Sequence, residues 1–324
     1  MSESQLRLLN RTRELSFFLI LSGLVVAFFA SRMFGDNADW QIALALAALT
    51  IGIPHGAVDH LLSVPKFFSL RMAIFLFGYL LVAGMAAWFI LLWPLLGFQL
   101  IVLISALHFG VGDASFYMEL TGRLRKPGFP RIVYALAAGC TPVLIPLTNS
   151  QTKAALQNVN PKLIDWAGPF AKQIFILCIA LNLATAALLA IKKFYWPTLD
   201  LLLLLALSLI TPPLVAFALY FGFWHAFRHT TRLTLEYRPA LQLHVPDQPW
   251  RSFWKVVRAG LPAVMVVLIF TAWLKFTNGT STSEDFLWYL LVVTWALTVP
   301  HMALTAKSDA VALKLKPSRI REST

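Results

Sequence analysis

The residues with the clearest capacity for chemistry are histidines that lie inside apolar stretches. The chain has seven histidines, and all but His244 fall within stretches long enough to cross a bilayer. An ionisable side chain in hydrocarbon is costly and by default indicates a functional site. We expect His244, which lies in a polar connection, to be solvated. The remaining candidates are His55, His60, His108, His225, His229 and His301.

His225 and His229 have the spacing of two ligands to one metal ion. They are four residues apart, so on a regular helix their side chains point about 40° apart and share a face. Asp59 follows His55 at the same spacing, where a carboxylate can orient a ligand imidazole through its second nitrogen. His55 and His60 point about 140° apart on a regular helix. We therefore do not expect them to bind one metal in the same way.

A single metal site can be assembled from three of these stretches. His55, His108 and the pair His225 and His229 make a set of four imidazoles, and Asp113 is a further buried carboxylate close to His108. Imidazole suits iron, copper, zinc and nickel. A site made only of nitrogen ligands, with open positions, favours redox or O2 chemistry on iron over calcium or magnesium binding.

The composition indicates what must position these residues. Of the 324 residues, 58% are hydrophobic and only 13% are charged, against roughly 25% charged in a typical soluble domain. The apolar residues come in blocks of about 20, the length that crosses a bilayer. Soluble, fibrous and disordered classes are excluded, and an all-α polytopic membrane protein with about ten transmembrane helices is predicted. The predicted spans are residues 16–34, 40–64, 71–93, 96–118, 131–149, 167–190, 196–210, 212–231, 255–276 and 285–305.

The net charge of +12 is an orientation signal. Lys and Arg favour cytoplasmic segments, and with ten spans most of the 27 Lys and Arg fall on the side that holds both termini. The sequence thus predicts that both termini are cytoplasmic, and the charge does not indicate a nucleic-acid partner. Asp200 is expected near the cytoplasmic end of its span, in contact with water. We divide the chain into one membrane domain, residues 1–306, and a basic cytoplasmic tail, residues 307–324.

This topology places the histidines at a common depth. The second, fourth, eighth and tenth spans all run toward the cytoplasm, and their histidines lie in the later part of each span. At a rise of about 1.5 Å per residue, they can share one layer in the cytoplasmic half of the bilayer. Scattered structural histidines need not share a depth, so this pattern favours one common site.

Three segments resemble a known family. Residues 52–60, GIPHGAVDH, resemble the PHGxxDH signature of the Brp/Blh family of membrane carotene 15,15'-dioxygenases. The segment that begins at His108 and the segment WHAFRH, residues 224–229, are similar to that family's later histidine segments in order and spacing. The resemblance runs from about residue 45 to residue 305.

The resemblance implies a ligand set and a reaction. Fe(2+) would be held by His55, His108, His225 and His229, the residues expected to be catalytic. The reaction would be cleavage of the central 15,15' double bond of β-carotene by O2, which gives two all-trans-retinal molecules. Supporting positions, expected to act indirectly or as substitute ligands, are Asp59, His60, Asp113 and His301.

A lipophilic carotenoid dissolves in the lipid bilayer, so we expect it to enter sideways between helices into a tunnel of Phe, Leu and Trp side chains. The expected partners are the carotenoid, O2, lipid and a rhodopsin that accepts retinal. The expected location is the inner membrane of a bacterial or archaeal cell.

Other classes of protein also use intramembrane histidines. A divalent-metal or small-solute transporter is the strongest alternative, and a haem-binding cytochrome stays open from paired histidines alone. A retinal-binding opsin is disfavoured because Lys172 and Lys275 lie near predicted helix ends rather than at mid-membrane. A membrane desaturase is disfavoured because the chain has no HxxHH box.

Overall fold

The computed structural model describes residues 1–35, 38–64, 69–121, 128–277 and 283–314. Within these ranges all regular elements are helices, which confirms the predicted all-α fold. A π-helical segment, Tyr220–Ala226, joins two of the α-helices. The α-helices are α1 Glu3–Phe34, α2 Ala38–Gly56, α3 Asp59–Ser63, α4 Leu70–Leu92, α5 Pro94–Thr121, α6 Arg131–Leu147, α7 Gln151–Val159, α8 Ala171–Ile191, α9 Tyr195–Ile210, α10 Pro213–Leu219, α11 Phe227–Leu233, α12 Arg238–Leu241, α13 Pro249–Thr277 and α14 Ser283–Lys314.

The membrane character is confirmed, but the count of ten spans is not. Among the described residues, seven helical stretches are long and apolar enough to cross a bilayer: α1, α2 with α3, α4, α5, α8, α13 and α14. An eighth appears if α6 and α7, bent by 77° at their junction, form one span. The predicted spans 196–210 and 212–231 correspond to α9, which has only 16 residues, and to α10, the π-helical segment and α11 in succession.

Local sequence explains several helix boundaries. Ser2 begins α1 with a capping box, because its hydroxyl accepts from the backbone of Gln5 while the Gln5 side chain accepts from the Ser2 backbone. Gly35 ends α1 at a φ of 59°, a conformation that glycine adopts without a steric cost. Ser69 caps α4 by accepting from the Met72 amide.

The outer surface is apolar where lipid is expected. Along α4, Leu70, Ile74 and Phe77 are all more than 60% exposed. Such a large apolar surface is unfavourable in water but matches the hydrocarbon of a bilayer.

Both ends of the described chain lie on one face of the bundle. Leu6 and Leu313 pack against the same cluster of buried side chains, which also contains Leu9. Helix α14 continues to Lys314, past the predicted domain boundary at residue 306. Asp309 accepts from Arg232 at 2.6 Å, and this contact holds that extension against α11. Residues 315–324 of the predicted tail lie outside the described ranges.

Glycines let the helices that carry the histidines approach one another closely. A methyl group on Gly110 of α5 would overlap the carbonyl oxygen of Ala135 in α6, and one on Gly139 would overlap the carbonyl oxygen of Ala106. A methyl group on Gly260 of α13 would overlap the carbonyl oxygen of Pro54. Backbone-to-backbone contact of this kind is how small residues hold membrane helices together, and here it fixes α2 and α5 near the histidines.

Candidate metal centre

The structure brings five histidines from separate elements into one buried cluster. His55 comes from the end of α2, His108 from α5, His225 from the π-helical segment, His229 from α11 and His301 from α14. All five side chains are buried. We call these five residues the histidine cluster.

The rings of the histidine cluster are mutually adjacent. The centroid of the His229 ring lies 5.2 Å from His55, 5.5 Å from His301, 5.9 Å from His225 and 6.2 Å from His108. The other four rings form a cycle with neighbouring centroids 5.2 to 5.4 Å apart. Ligand nitrogens of His55, His229 and His301 lie within 4.8 Å of one another. Because imidazole nitrogens lie about 2 Å from a bound metal, this is close to the separation that one shared ion requires.

Four of the imidazoles have a buried nitrogen without a protein partner. The Nε2 atoms of His108, His225, His229 and His301 are buried and form no hydrogen bond within the part of the chain that the structure describes. Buried polar atoms in native proteins are nearly always satisfied, and an exception calls for an explanation such as an ion. The donor set therefore fits a metal ion that prefers nitrogen ligands.

In three of the five rings, the Nδ1 atom has a hydrogen-bonding partner in the protein. His301 Nδ1 lies 2.7 Å from Asp59 Oδ2, and His55 Nδ1 contacts the carbonyl oxygen of Gly52. His108 Nδ1 lies 3.4 Å from the hydroxyl of Thr305, which donates to carbonyl oxygens of its own helix and is thus free to accept. With the proton on Nδ1, each ring presents the lone pair of Nε2 to the cluster.

The π-helical segment places the last pair. His225 is in the π-helix and His229 in α11, yet their rings lie nearly parallel, with 13° between the planes. The two side chains thus share a face, as their spacing predicts. A π-helical turn holds an additional residue and is frequent at functional sites.

Two buried ion-pair networks adjoin the histidine cluster. The Arg228 guanidinium donates to Asp200 at 2.9 Å and to the Ser16 hydroxyl at 2.9 Å, and it lies 3.6 Å from Asp113. Asp200 also accepts from the Tyr117 hydroxyl. The expectation that Asp200 contacts water is wrong, because its position faces Arg228 inside the bundle and the side chain is fully buried.

The second network also consists of one arginine between two carboxylates. Arg232 donates to Glu119 at 3.0 Å and to Asp309 at 2.6 Å. Together with Asp59, the two networks place five carboxylates against two guanidinium groups beside the histidine cluster. Removal of one partner from either network would leave a buried polar or charged group without its counterpart, which is strongly unfavourable.

Two cavities of opposite character adjoin the cluster. A cavity of about 500 Å³, lined mainly by apolar side chains, reaches His55, His108, His225 and His301. On another side, a polar cavity of about 10 Å³, the size of one water molecule, is lined by Gly112, Asp113, His225, Arg228, His229 and Arg232. The cluster therefore joins an apolar chamber to a small charged one.

The remaining predicted residues lie around the cluster. His60 is half-buried and lines the apolar cavity. Asp113 accepts from the Trp224 indole at 2.8 Å. Asp59 contacts His301 rather than His55, because the helix breaks at residues 57–58 and removes the regular spacing on which the prediction rested.

Sequence reasoning missed several contacts. His244 is buried, not solvated, and contacts the hydroxyls of Ser4, Thr234 and Ser252 at 3.1 to 3.2 Å. No sequence signal indicates these contacts. For His301, by contrast, the sequence did contain a signal, because a proline precedes it as Pro54 precedes His55.

Comparison with known proteins identifies the family. A family model described as beta-carotene 15,15'-dioxygenase matches residues 46–309. The chain belongs to the beta-carotene 15,15'-dioxygenase family. The matched range contains the whole histidine cluster and all the charged residues of both arginine networks, so the family match covers the candidate site.

Two curated relatives support membership of the beta-carotene 15,15'-dioxygenase family. The chain is 30% identical to a beta-carotene 15,15'-dioxygenase of an uncultured marine bacterium, 66A03, over 82% of this chain and 92% of that protein. It is 27% identical to a probable beta-carotene 15,15'-dioxygenase, Blh, of Halobacterium salinarum, over 83% of this chain and 84% of that protein. No solved structure shows significant similarity to the chain.

Proposed function

We propose that this protein cleaves the central 15,15' double bond of β-carotene with O2 to give two all-trans-retinal molecules. The observation that carries the proposal is the buried histidine cluster, with four unpartnered Nε2 atoms, at the wall of an apolar cavity. The family to which the chain belongs supports the same reaction. In the balanced reaction one C=C bond is broken, and each oxygen atom of O2 ends in one of the two aldehydes.

The proposed cofactor is Fe(2+), held by His55, His108, His225 and His229. Iron, when bound, supplies the redox chemistry that lets O2 react with an alkene. The carbonyl of Gly52 and the hydroxyl of Thr305 fix the proton of His55 and His108 on Nδ1, so that Nε2 is the ligand atom. His301, whose ring Asp59 orients, is a further candidate ligand at the same cluster.

The apolar cavity supplies the other requirement of the reaction. Its wall of aliphatic and aromatic side chains excludes water and solvates a long hydrocarbon, while the rings of His55, His108, His225 and His301 lie at its surface. A polyene bound in this cavity is thereby placed beside the imidazoles. His60 has a supporting role as part of the cavity wall. Asp113 has a supporting role through its contact with the Arg228 guanidinium.

The proposed setting is the inner membrane of a bacterium or archaeon, with both termini in the cytoplasm. A rhodopsin that accepts retinal is a candidate partner, because retinal is poorly soluble in water and is best transferred within the membrane.

Coexpression in a host that makes β-carotene tests the function. Wild-type protein should convert carotene to retinal, measured by chromatography of cell extracts. Replacement of His55, His108, His225 or His229 by Ala should abolish retinal and lower the iron content of the purified protein. The control is His244→Gln, a buried histidine outside the cluster, which should retain both.

Two outcomes would contradict the proposed reaction, and a third would change the ligand set. Absence of retinal with the wild-type protein present in the membrane would reject the reaction. Metal uptake by whole cells, without any retinal, would favour the transporter instead. Wild-type retinal production by one alanine variant would remove that histidine from the ligand set.

A further inference from the structure

Three of the side chains that line the apolar cavity are exposed, whereas all the others are buried or half-buried. Deep lining residues such as Phe98 and Val102 are 4% and 5% exposed, so contact with the cavity alone leaves little accessible surface. Leu76 and Leu80 on α4 and Val266 on α13 also line the cavity, yet they are 41%, 61% and 64% exposed. A residue that borders the cavity and also the outer surface lies at the rim of an opening.

The rim residues on the two helices lie at a similar depth relative to the histidine cluster. Val266 is six residues beyond Gly260, which contacts Pro54 beside His55, so it lies about 9 Å further along the bundle. Leu80 adjoins Tyr79, whose hydroxyl donates to the carbonyl of Leu297 at 3.0 Å. Leu297 precedes His301 by four residues, or about 6 Å. The two displacements are comparable. They point to the same side, because Val267, next to Val266, packs in the same group of side chains as Leu297.

Helix α14 packs against both of the helices that carry the rim, α4 and α13. Helix α13 also packs against α2, and α4 contacts α3. The break that follows α2 borders the cavity, because Gly56 at the end of α2 and Ala57 both line it. A broken helix at membrane depth is tolerated where it borders a cavity.

We propose that the cavity opens directly into the lipid between α4 and α13, and that Leu76, Leu80 and Val266 form the rim through which a hydrocarbon substrate enters. The proposal rests on the proposed function for the identity of that substrate, a carotenoid. The rim residues are aliphatic, and the hydroxyl of Tyr79 beside them is already bonded to Leu297. A hydrocarbon therefore passes without the loss of any hydrogen bond, whereas a polar solute would lose those it makes to water.

Bulky substitutions at the rim test the opening. Leu80→Trp and Val266→Trp should lower kcat/KM for β-carotene about tenfold or more, because a larger side chain obstructs entry, while kcat at saturating substrate and iron content stay near wild type. The matched controls are Phe77→Trp and Met265→Trp, which are exposed neighbours on the same helices that do not line the cavity. These should behave as wild type.

The rate of carotenoid binding to purified protein, followed by the change in its visible spectrum, gives a second measurement that needs no turnover. Slow binding in the two rim variants but not in the controls supports the opening, even if wild type forms no retinal and the proposed reaction fails. Equal rates of carotenoid binding in the rim and control variants overturn the proposed opening. In that case the proposed reaction still stands if the wild type produces retinal. Failure of wild type to bind carotenoid overturns both.

Discussion

At the scale of the residue, the histidines differ in what holds their second nitrogen. His55 is held by a carbonyl three residues before it, a local contact, whereas His301 depends on Asp59 from a distant part of the chain. A carboxylate partner raises the basicity of an imidazole ligand and fixes its orientation. Loss of Asp59 should therefore weaken metal binding more than loss of any other supporting residue.

Asp59→Ala should weaken metal binding about 10- to 100-fold, because His301 loses the group that orients it. Titration of the metal-free protein with Fe(2+) or Co(2+), followed by absorbance, measures the affinity. Asp165→Asn, at an exposed carboxylate remote from the cluster, is the control and should bind as wild type. Unchanged affinity in Asp59→Ala would show that the carboxylate does not support the metal site.

Arg228 is the cation that balances the buried carboxylates of Asp113 and Asp200. Arg228→Met should destabilise the protein by about 3–5 kcal/mol, because Asp113 and Asp200 are left buried without a cation. Unfolding in detergent, followed by circular dichroism, measures the loss. The control Arg258→Met replaces an exposed arginine of α13. If both variants unfold at the wild-type temperature, the network contributes little to stability.

At the scale of the element, helix contacts place the imidazoles. The motif segments predict which helices carry the site, but the close crossing of α5 and α6 is decided by Gly110 and Gly139, whose role depends on the facing helix. A regular period of 3.6 residues likewise does not predict the π-helical segment. Still, the pair His225 and His229 ends on one face, because four residues span about one turn on either side of the junction.

Gly110→Ala should separate α5 from α6 and displace His108, with loss of metal and a destabilisation of about 1–3 kcal/mol or more from overpacking. Gly84→Ala on α4 is the matched control, because its added methyl group meets no atom within 4 Å. Metal content and melting temperature of the two purified variants measure the difference. A Gly110→Ala protein with full metal content would show that the helices can shift without effect on the site.

At the scale of the whole molecule, contacts on the face that holds both chain ends tie distant segments together. His244 joins α1 through Ser4 to the connection before α13 and to α13 itself through Ser252. Burial lowers the pKa of His244, against a smaller opposing effect of the nearby Asp247 carboxylate. The folded protein therefore favours the neutral ring.

Because the unfolded chain binds this proton more readily, stability should fall as the pH drops below about 6.5, the ordinary pKa of histidine. His244→Gln should lower stability at neutral pH but flatten its decline between pH 7.5 and 5.5. Melting temperatures over this range, for wild type and variant, measure the two slopes. Parallel profiles would assign the pH dependence to other groups.

The sequence by itself determined the class of protein and much of the candidate site. Twenty-residue apolar blocks allow few folds other than membrane helices, and the intramembrane histidines with their spacing indicated His55, His108, His225 and His229. Only the tertiary structure decided that His301 joins them, that Asp59 is its partner, and that Asp200, Arg228 and His244 are buried. The physical reason is that spacing fixes angles along one helix only. Which side chains meet across helices depends on where the helices cross, bend and break.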